Sequence, residues 1–171
     1  MAAVLWIVAV IVLLFGFVVF RGAPYLPSRR RDLVRAFEEL YPLSASDTLV
    51  DIGSGDGIVL RVASARGARA TGYELNPILV LVSRFLSRND DKIEVRLADF
   101  WNVSLPEQTT IVYTFGESRD IKKMYKKVEA ESNRLQKPLF FMSFGFPVKG
   151  KTVVAPDRSF FLYEIVPQSV L

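Results

Sequence analysis

Glycines and acids alternate in one short segment, residues 50–57, with the sequence Val-Asp-Ile-Gly-Ser-Gly-Asp-Gly. A strand that ends in an acid and leads through a glycine-rich turn into a helix places backbone N–H groups and the positive helix end at the carboxyl edge of a sheet. Anionic or nucleoside ligands bind at such an edge. The segment therefore predicts a nucleoside-binding crevice.

The glycine spacing indicates which ligand class fits. A dinucleotide fingerprint needs its third glycine three positions after the second, and that position is Ile58 here. The third glycine is instead Gly57, two positions after Gly55. Asp51 precedes the first glycine, Gly53, by two positions, where a carboxylate repels a pyrophosphate and attracts an ammonium. The spacing disfavours NAD and favours a ligand with a cationic end.

Two more acids end the next two predicted strands. Glu74 is placed to accept hydrogen bonds from both hydroxyls of a ribose. Asp99 can accept a hydrogen bond from the amine of an adenine, with Phe100 or Trp101 against the base. An ammonium, a ribose and an adenine together describe S-adenosyl-L-methionine. The alternative is that the glycines form a tight turn only and that the acids are solvated strand ends.

Strands and helices alternate along most of the chain. Asn76 is a good N-cap, and Pro77 occupies the favoured first helical position. The pattern predicts an α/β fold with a Rossmann-like, doubly wound, seven-stranded sheet and an antiparallel pair of terminal strands. The predicted strands are 48–52, 68–73, 93–98, 110–115, 139–144, 151–154 and 160–166, and the predicted helices are 28–41, 58–66, 77–88 and 118–135.

The first 20 residues contain no charged side chain. A helix of about 20 residues spans the roughly 30 Å of a bilayer core, so residues 1–21 are predicted to be a transmembrane anchor. A cleaved signal peptide is disfavoured because no Lys or Arg precedes the apolar run. Residues 22–47 are then a linker and an N-terminal helix, and residues 48–171 form the cofactor-binding domain. The positive-inside rule places that domain in the cytoplasm, because the arginines that follow the run are Arg21, Arg29, Arg30, Arg31 and Arg35.

The composition excludes several kinds of chemistry. The chain has no Cys and no His, which excludes disulfides, thiol nucleophiles, Cys/His zinc sites and imidazole catalysis. No metal is expected. The net charge of +4 comes from the arginines beside the anchor, so no nucleic-acid partner is expected. Lys122, Lys123, Lys126 and Lys127 are interpreted as a solvated helix face in preference to a contact surface for RNA or lipid.

With these residues the chain resembles the class I S-adenosylmethionine-dependent methyltransferases over nearly all of residues 22–166. More narrowly, it is similar to the membrane-anchored protein-lysine methyltransferases that modify the adenine nucleotide translocase and the ATP synthase c-subunit, and to their prokaryotic relatives. Two departures are Ile58, where that family commonly has Arg, and the more polar segment 115–118. The similar segments are Pro-Tyr-x-Pro-Ser at 24–28, the glycine segment at 50–57, Gly-Tyr-Glu-Leu-Asn-Pro at 72–77, and 99–105.

The resemblance implies an enzyme that uses S-adenosyl-L-methionine and methylates a lysine of a membrane or membrane-proximal protein. Two alternatives stay open: a small-molecule or lipid acceptor, and a catalytically silent, membrane-anchored S-adenosylmethionine-binding module. We expect Tyr25 and Phe115 to line the acceptor channel and Glu117 to orient the acceptor, although Phe115 as a core residue and Glu117 as a helix N-terminal acid are equally compatible with the sequence. The candidate cofactor-binding residues are Asp51, Gly53, Ser54, Gly55, Gly57, Glu74, Leu75, Asn76, Asp99 and Phe100.

Overall fold

The computed structural model describes residue 1 and residues 4–6, 29–116, 118–157 and 159–168. Most of the predicted anchor, the linker that follows it, Tyr25 and Glu117 lie outside the described residues. Within the described ranges, no helix combines the length and the apolar character needed to cross a membrane.

One mixed sheet forms the centre of the domain, with the strand order β3-β2-β1-β4-β5-β7-β6. β1 to β5 are parallel, β7 runs antiparallel to β5, and β6 runs antiparallel to β7. The strand order reverses between β1 and β4, and open α/β sheets bind ligands at such a point. The strands are β1 Thr48–Ile52, β2 Arg69–Glu74, β3 Ile93–Leu97, β4 Ile111–Thr114, β5 Leu139–Phe144, β6 Ala155–Asp157 and β7 Phe160–Ile165.

The helices begin close to the predicted positions. At the start of α3, Asn76 Oδ1 accepts hydrogen bonds from the N–H groups of Ile78 (2.9 Å) and Leu79 (3.4 Å), as expected of an N-cap. The last helix begins at Ile121, because residues 118–120 form a turn. The helices are α1 Arg30–Arg35, which continues into a π-helical turn Ala36–Leu40, α2 Ile58–Ser64, α3 Pro77–Leu86, a 3-10 turn Phe100–Asn102, and α4 Ile121–Leu135.

Each face of the sheet is covered by its own apolar layer. On one face α1, α2 and α3 pack against the strands through Leu33, Phe37, Leu60, Val62 and Val80. On the other face α4 and residues 100–105 cover a second cluster that includes Ile121, Tyr125, Val128, Phe141 and Leu105. The sheet is therefore doubly wound, and its inner strands are buried on both sides.

The prediction of a strand at 151–154 is wrong. The edge strand is β6, which pairs Ala155 with Leu162 and Asp157 with Phe160 in a tight hairpin. Pro156, interpreted from the sequence as a turn residue, lies inside this strand. An edge strand pairs on one side only, so it tolerates the missing N–H of proline. Arg35 also fixes the hairpin, since its Nη2 lies 2.8 Å from Asp157 Oδ2.

A buried hydrogen bond holds the segment between β5 and β6. The N–H of Val148 donates to the hydroxyl of Tyr163 at 2.7 Å, and both residues are buried. We expect Tyr163→Phe to lower the free energy of unfolding by about 1–3 kcal/mol, because it leaves a buried N–H unpaired. Urea denaturation measures this change, and Glu164→Gln, an exposed neighbour on β7, is the control. An unchanged midpoint for Tyr163→Phe would contradict the assignment.

Candidate functional site

The glycine turn after β1 folds over the end of β2. The N–H groups of Gly53 and Ser54 both donate to the carbonyl oxygen of Tyr73, at 2.9 and 3.1 Å. Gly53, Gly55 and Gly57 have φ values of 73°, 54° and 79°. These values lie in the left-handed region, which glycine adopts without the steric cost that a side chain brings. The local sequence thus fixes the path of the turn.

Ser54 and Gly72 bring this turn into close contact with β2. A Cβ atom at Gly72 would lie 2.5 Å from Ser54 Oγ and 2.7 Å from Leu60 Cδ1. The Ser54 hydroxyl is buried and has no hydrogen-bond partner among the described residues. Gly72 therefore belongs to the site, although the sequence did not indicate it as a candidate cofactor-binding residue. A glycine inside a strand was the available signal, since it often marks a close backbone approach.

Asp51 lies near the end of β1 with 2% of its surface exposed. Burial raises the pKa of its carboxyl well above the ordinary value, and the negative charges of Glu74 and Asp56 raise it further. A buried carboxylate is stabilised by a cation. The environment of Asp51 is thus suited to the ammonium group predicted from the sequence.

Glu74 occupies the end of β2, but its carboxylate already has partners. Oε2 accepts from the N–H of Gly55 at 2.9 Å, and Oε1 accepts from the N–H of Asn76 at 2.7 Å. Each carboxylate oxygen accepts more than one hydrogen bond, so contact with ribose hydroxyls stays a prediction. The structure adds a role that sequence reasoning missed, which is to join the glycine turn to the start of α3.

Asp99 follows β3 and begins the 3-10 turn. Its Oδ1 accepts from the N–H of Trp101 at 3.0 Å, and its Oδ2 accepts from Asn102 Nδ2 at 3.2 Å. Phe100 is 5% exposed and packs in the core beside Tyr73, with the ring centroids 6.4 Å apart. The ring of Phe100 is therefore mainly a core element.

Leu75 lies between Glu74 and the N-cap residue Asn76, and 40% of its surface is exposed. Nothing lies within 4 Å of a Cβ built at Gly53, so there is open space at this position of the glycine turn. Together these residues fit the predicted cofactor. The placement of its ammonium at Asp51, its ribose at Glu74 and its adenine at Asp99 stays a prediction. No group of three or more potential ligands for a metal ion occurs in the part of the chain that the structure describes.

The interpretation of the α4 lysines as a solvated face is wrong for Lys127, which is half-buried, whereas Lys122, Lys123 and Lys126 are exposed. Lys127 Nζ donates to the carbonyl oxygens of Val103 (2.8 Å) and Trp101 (3.3 Å). Lys123 Nζ lies 4.3 Å from the centroid of the Trp101 ring, a cation–π contact. Lys127 pairs with the segment after Asp99 because two carbonyl groups of that segment face α4, whereas Lys123 contacts the ring of Trp101. The two side chains thus help to fix one wall of the site.

Aromatic residues gather where β4 and β5 end. Phe115 is half-buried and packs edge-on against Phe144, with ring centroids 4.8 Å apart. A Cβ at Gly145 would lie 3.3 Å from Phe115, so this glycine allows the ring to approach. Of the three candidate catalytic residues, Phe115 is the one within the described ranges, and its role in a channel stays a prediction.

Phe146 is an aromatic residue that the sequence reasoning missed. It is 40% exposed, and its carbonyl oxygen accepts a hydrogen bond from Ser143 Oγ at 2.8 Å. It lies two residues after the end of β5, at the edge where β4 leads into Phe115. The signal was present as Phe-Gly-Phe-Pro at 144–147, directly after a continuous apolar strand.

Comparison with protein families identifies one model that matches residues 51–155, described as the ANTKMT methyltransferase domain. Two curated relatives are both named as lysine N-methyltransferases of the ATP synthase c-subunit. The protein from Xenopus laevis is 33% identical over 111 residues, which cover 63% of this chain and 48% of the relative. The protein from Homo sapiens is 32% identical over 111 residues, which cover 63% and 46%. The chain thus spans about half the length of these relatives.

Solved structures with the same fold include an RNA methyltransferase from Salinibacter ruber in complex with S-adenosyl-L-homocysteine. Its TM-score is 0.72 at 24% identity, covering 84% of this chain and 95% of that chain. A SAM-dependent methyltransferase from Geobacter sulfurreducens, also in complex with S-adenosyl-L-homocysteine, has a TM-score of 0.58 at 15% identity, covering 75% and 54%. At these identities the likeness shows the class I fold alone. With the family match, the predicted resemblance and the predicted cofactor are confirmed.

Proposed function

Because the chain belongs to the ANTKMT methyltransferase domain family, we propose that it transfers a methyl group from S-adenosyl-L-methionine to a lysine side chain of a membrane or membrane-proximal protein. The observation that carries the proposal is the row of acids Asp51, Glu74 and Asp99 at the carboxyl ends of three adjacent parallel strands. The name shared by the curated relatives supports a protein lysine as the acceptor.

The bound cofactor supplies a methyl group activated by a positively charged sulfur. The chain has to bind and orient this donor and the acceptor, and no covalent nucleophile is needed. Orientation of two reactants is worth about 7–11 kcal/mol of the barrier in favourable cases. A rigid turn held by Glu74 and by the Tyr73 carbonyl suits this task.

The acceptor amine must be neutral to attack the methyl group, although a lysine in water has a pKa of about 10.4. Apolar surroundings disfavour the charged form and lower this pKa. We propose that Phe115, Phe144 and Phe146 provide such surroundings at the carboxyl edge. Tyr25 and Glu117 remain part of this proposal as a channel wall and an orienting carboxylate.

Residues 1–21 are proposed as the anchor, with the catalytic domain on the cytoplasmic side. Their charge-free composition and the arginines that follow support this topology. Anchoring raises the effective concentration of acceptors in the same membrane. A small domain can therefore favour membrane proteins without a large recognition insert.

The test compares membrane proteins from cells with and without the gene by mass spectrometry. A lysine that carries one, two or three methyl groups only when the gene is present supports the proposal. Membrane fractions incubated with the purified chain and methyl-labelled cofactor identify the alternatives. Label in the organic phase indicates a lipid or small-molecule acceptor, and cofactor binding without transfer to any fraction indicates a silent binding module.

The exposed ring of Phe146 gives a residue-level prediction. We expect Phe146→Ala to lower kcat/KM for the protein acceptor about tenfold, equivalent to about 1.4 kcal/mol, and to leave the Kd of the cofactor unchanged. The Kd of the cofactor should not change because Phe146 lies after β5, away from the acids of β1 to β3. Val154→Ala, at another exposed apolar position, is the control. Equal kinetics for Phe146→Ala and the parent would exclude the ring from the acceptor site.

A further inference from the structure

Four large apolar side chains lie exposed on α3. Leu81, Val82, Phe85 and Leu86 are 65%, 40%, 64% and 48% exposed, and we refer to them as the α3 apolar face. Their spacing places them on one side of the helix. Single exposed apolar residues are ordinary, whereas a contiguous apolar patch marks an interaction site.

Basic side chains flank the α3 apolar face. The guanidinium of Arg88 lies 4.4 Å from the centroid of the Phe85 ring. Arg84 is exposed on the same helix, and its guanidinium donates to the carbonyl oxygen of Val95 at 2.7 and 2.9 Å. Two acids, Asp90, which accepts from the Ser64 hydroxyl at 2.6 Å, and the exposed Asp91, lie beyond the end of the helix. Apolar side chains with cations beside them match the chemistry of an anionic lipid surface.

The position of α3 in the fold supports the same partner. α1, α2 and α3 share one layer on the sheet, and the chain enters this layer at Arg29, after the charge-free residues 1–20. Arg29, Arg30 and Arg31 are exposed at that point. The layer that carries the α3 apolar face is thus the layer to which the apolar N-terminal sequence is connected.

We propose that the α3 apolar face contacts the surface of an anionic bilayer, with its apolar side chains among the upper acyl chains and Arg84 and Arg88 at the lipid phosphates. A second copy of the chain fits less well, because four partly exposed side chains offer much less than the about 800 Å² per partner of a standard interface. α3 begins at Pro77, three residues after Glu74. The contact therefore holds the cofactor edge close to the membrane.

The chain contains no Cys, so an introduced Cys is the single thiol and can be labelled selectively. Phe85→Cys carries a polarity-sensitive fluorophore on the α3 apolar face. Val154→Cys is the matched control, since Val154 is 56% exposed and lies beside the opposite edge strand, β6. The labelled full chain is reconstituted in vesicles of phosphatidylcholine and phosphatidylserine, and quenching by nitroxide-bearing lipid is compared with quenching by aqueous iodide.

We expect nitroxide lipid to quench the label at position 85 several-fold more strongly than the label at position 154, and iodide to give the reverse order. Omitting phosphatidylserine or adding salt should reduce the lipid quenching at position 85, because salt screens the arginines. Leu81→Cys repeats the measurement at a second site on the same face, in case the label at position 85 disturbs α3.

Three results would overturn the proposal. Equal lipid quenching at positions 85 and 154 would mean that the face does not meet the bilayer. Protection of position 85 from both quenchers that disappears on dilution into excess lipid would identify a second copy. Protection of position 85 from both quenchers at every dilution would mean that the chain's own N-terminal segment covers the α3 apolar face. These readouts use neither cofactor nor methyl acceptor, so they are independent of the proposed enzymatic function.

Discussion

Asp51→Asn should weaken the binding of S-adenosyl-L-methionine and at the same time make the ligand-free protein more stable. Losing one partner of a buried charge pair costs about 2–5 kcal/mol. We therefore expect the Kd of the cofactor to increase by a factor between about 30 and several thousand. The gain in stability arises because Asp51 is 2% exposed and faces the negative charges of Glu74 and Asp56. A neutral amide avoids both the burial of a charge and this repulsion.

The stability gain should depend on pH in one direction. The folded-state pKa of Asp51 is raised, so the native protein holds this proton above the pH at which the unfolded chain, with a pKa of about 3.9, releases it. The destabilisation is absent below about pH 3.9 and develops as the pH rises towards the folded-state pKa. The advantage of Asp51→Asn over the parent should therefore be present at neutral pH and vanish in acid.

Calorimetric titration with the cofactor and thermal unfolding across a pH series measure these effects. A gain of 1 kcal/mol raises the Tm of a domain of this size by about 2–4 °C, so an increase of a few degrees is expected near pH 7. Asp91→Asn, at an exposed position, controls for the loss of one negative charge. A Tm that falls at neutral pH, or an unchanged Kd, would contradict the role given to Asp51.

Gly57→Ala should destabilise the ligand-free domain by about 2–4 kcal/mol, by combining backbone strain with overpacking. Gly57 has φ +79°, and a Cβ there would lie 2.1 Å from Ser83 Oγ and 3.3 Å from Ser83 Cβ. Ser83 is fully buried on α3, and its hydroxyl has no hydrogen-bond partner among the described residues. The new methyl group therefore meets a side chain with little room to move.

A double-mutant cycle separates the two causes. Ser83→Ala removes the overlapping oxygen, so Gly57→Ala with Ser83→Ala should regain the overpacking part of the loss and retain the backbone part. Gly53→Ala is the matched control, because its φ is +73° and a Cβ there meets nothing within 4 Å. This control should show only the backbone cost of about 1–2 kcal/mol. If chemical denaturation shows that the losses in free energy of unfolding from Gly57→Ala and Ser83→Ala are additive, the predicted overlap between position 57 and Ser83 is refuted.

The parts of the fold that could be predicted are those that short stretches of sequence decide. The bounds of β1 and β5 match the prediction residue for residue, because each is a mostly apolar run that is followed by a glycine. The start of α3 could be predicted because Asn76 is a good N-cap residue and Pro77 favours the first helical position. The glycine turn after β1 could be predicted because closely spaced glycines permit the left-handed backbone that it adopts.

What could not be predicted depends on partners distant in the sequence. β6 is a strand because β7 offers it a free edge, and no local feature of residues 155–157 indicates this. Lys127 was interpreted as a surface lysine because its partners are carbonyl groups more than 20 residues away. The two backbone partners of Glu74 belong to turns on either side of it, so its structural role required the folded arrangement.

The two hydrogen bonds of Glu74 affect which positions of related sequences can be used to recognise a loss of activity. Aspartate has a shorter side chain, and the amide of glutamine presents one acceptor where two are used. Glutamate at the end of β2 thus has a structural role that does not depend on a bound cofactor. A descendant that had lost its activity would still retain it. Asp51 is buried beside two other acids, so we expect it to be retained only while a cation binds there. Among descendants of this fold, loss of activity should first become visible in the sequence at position 51.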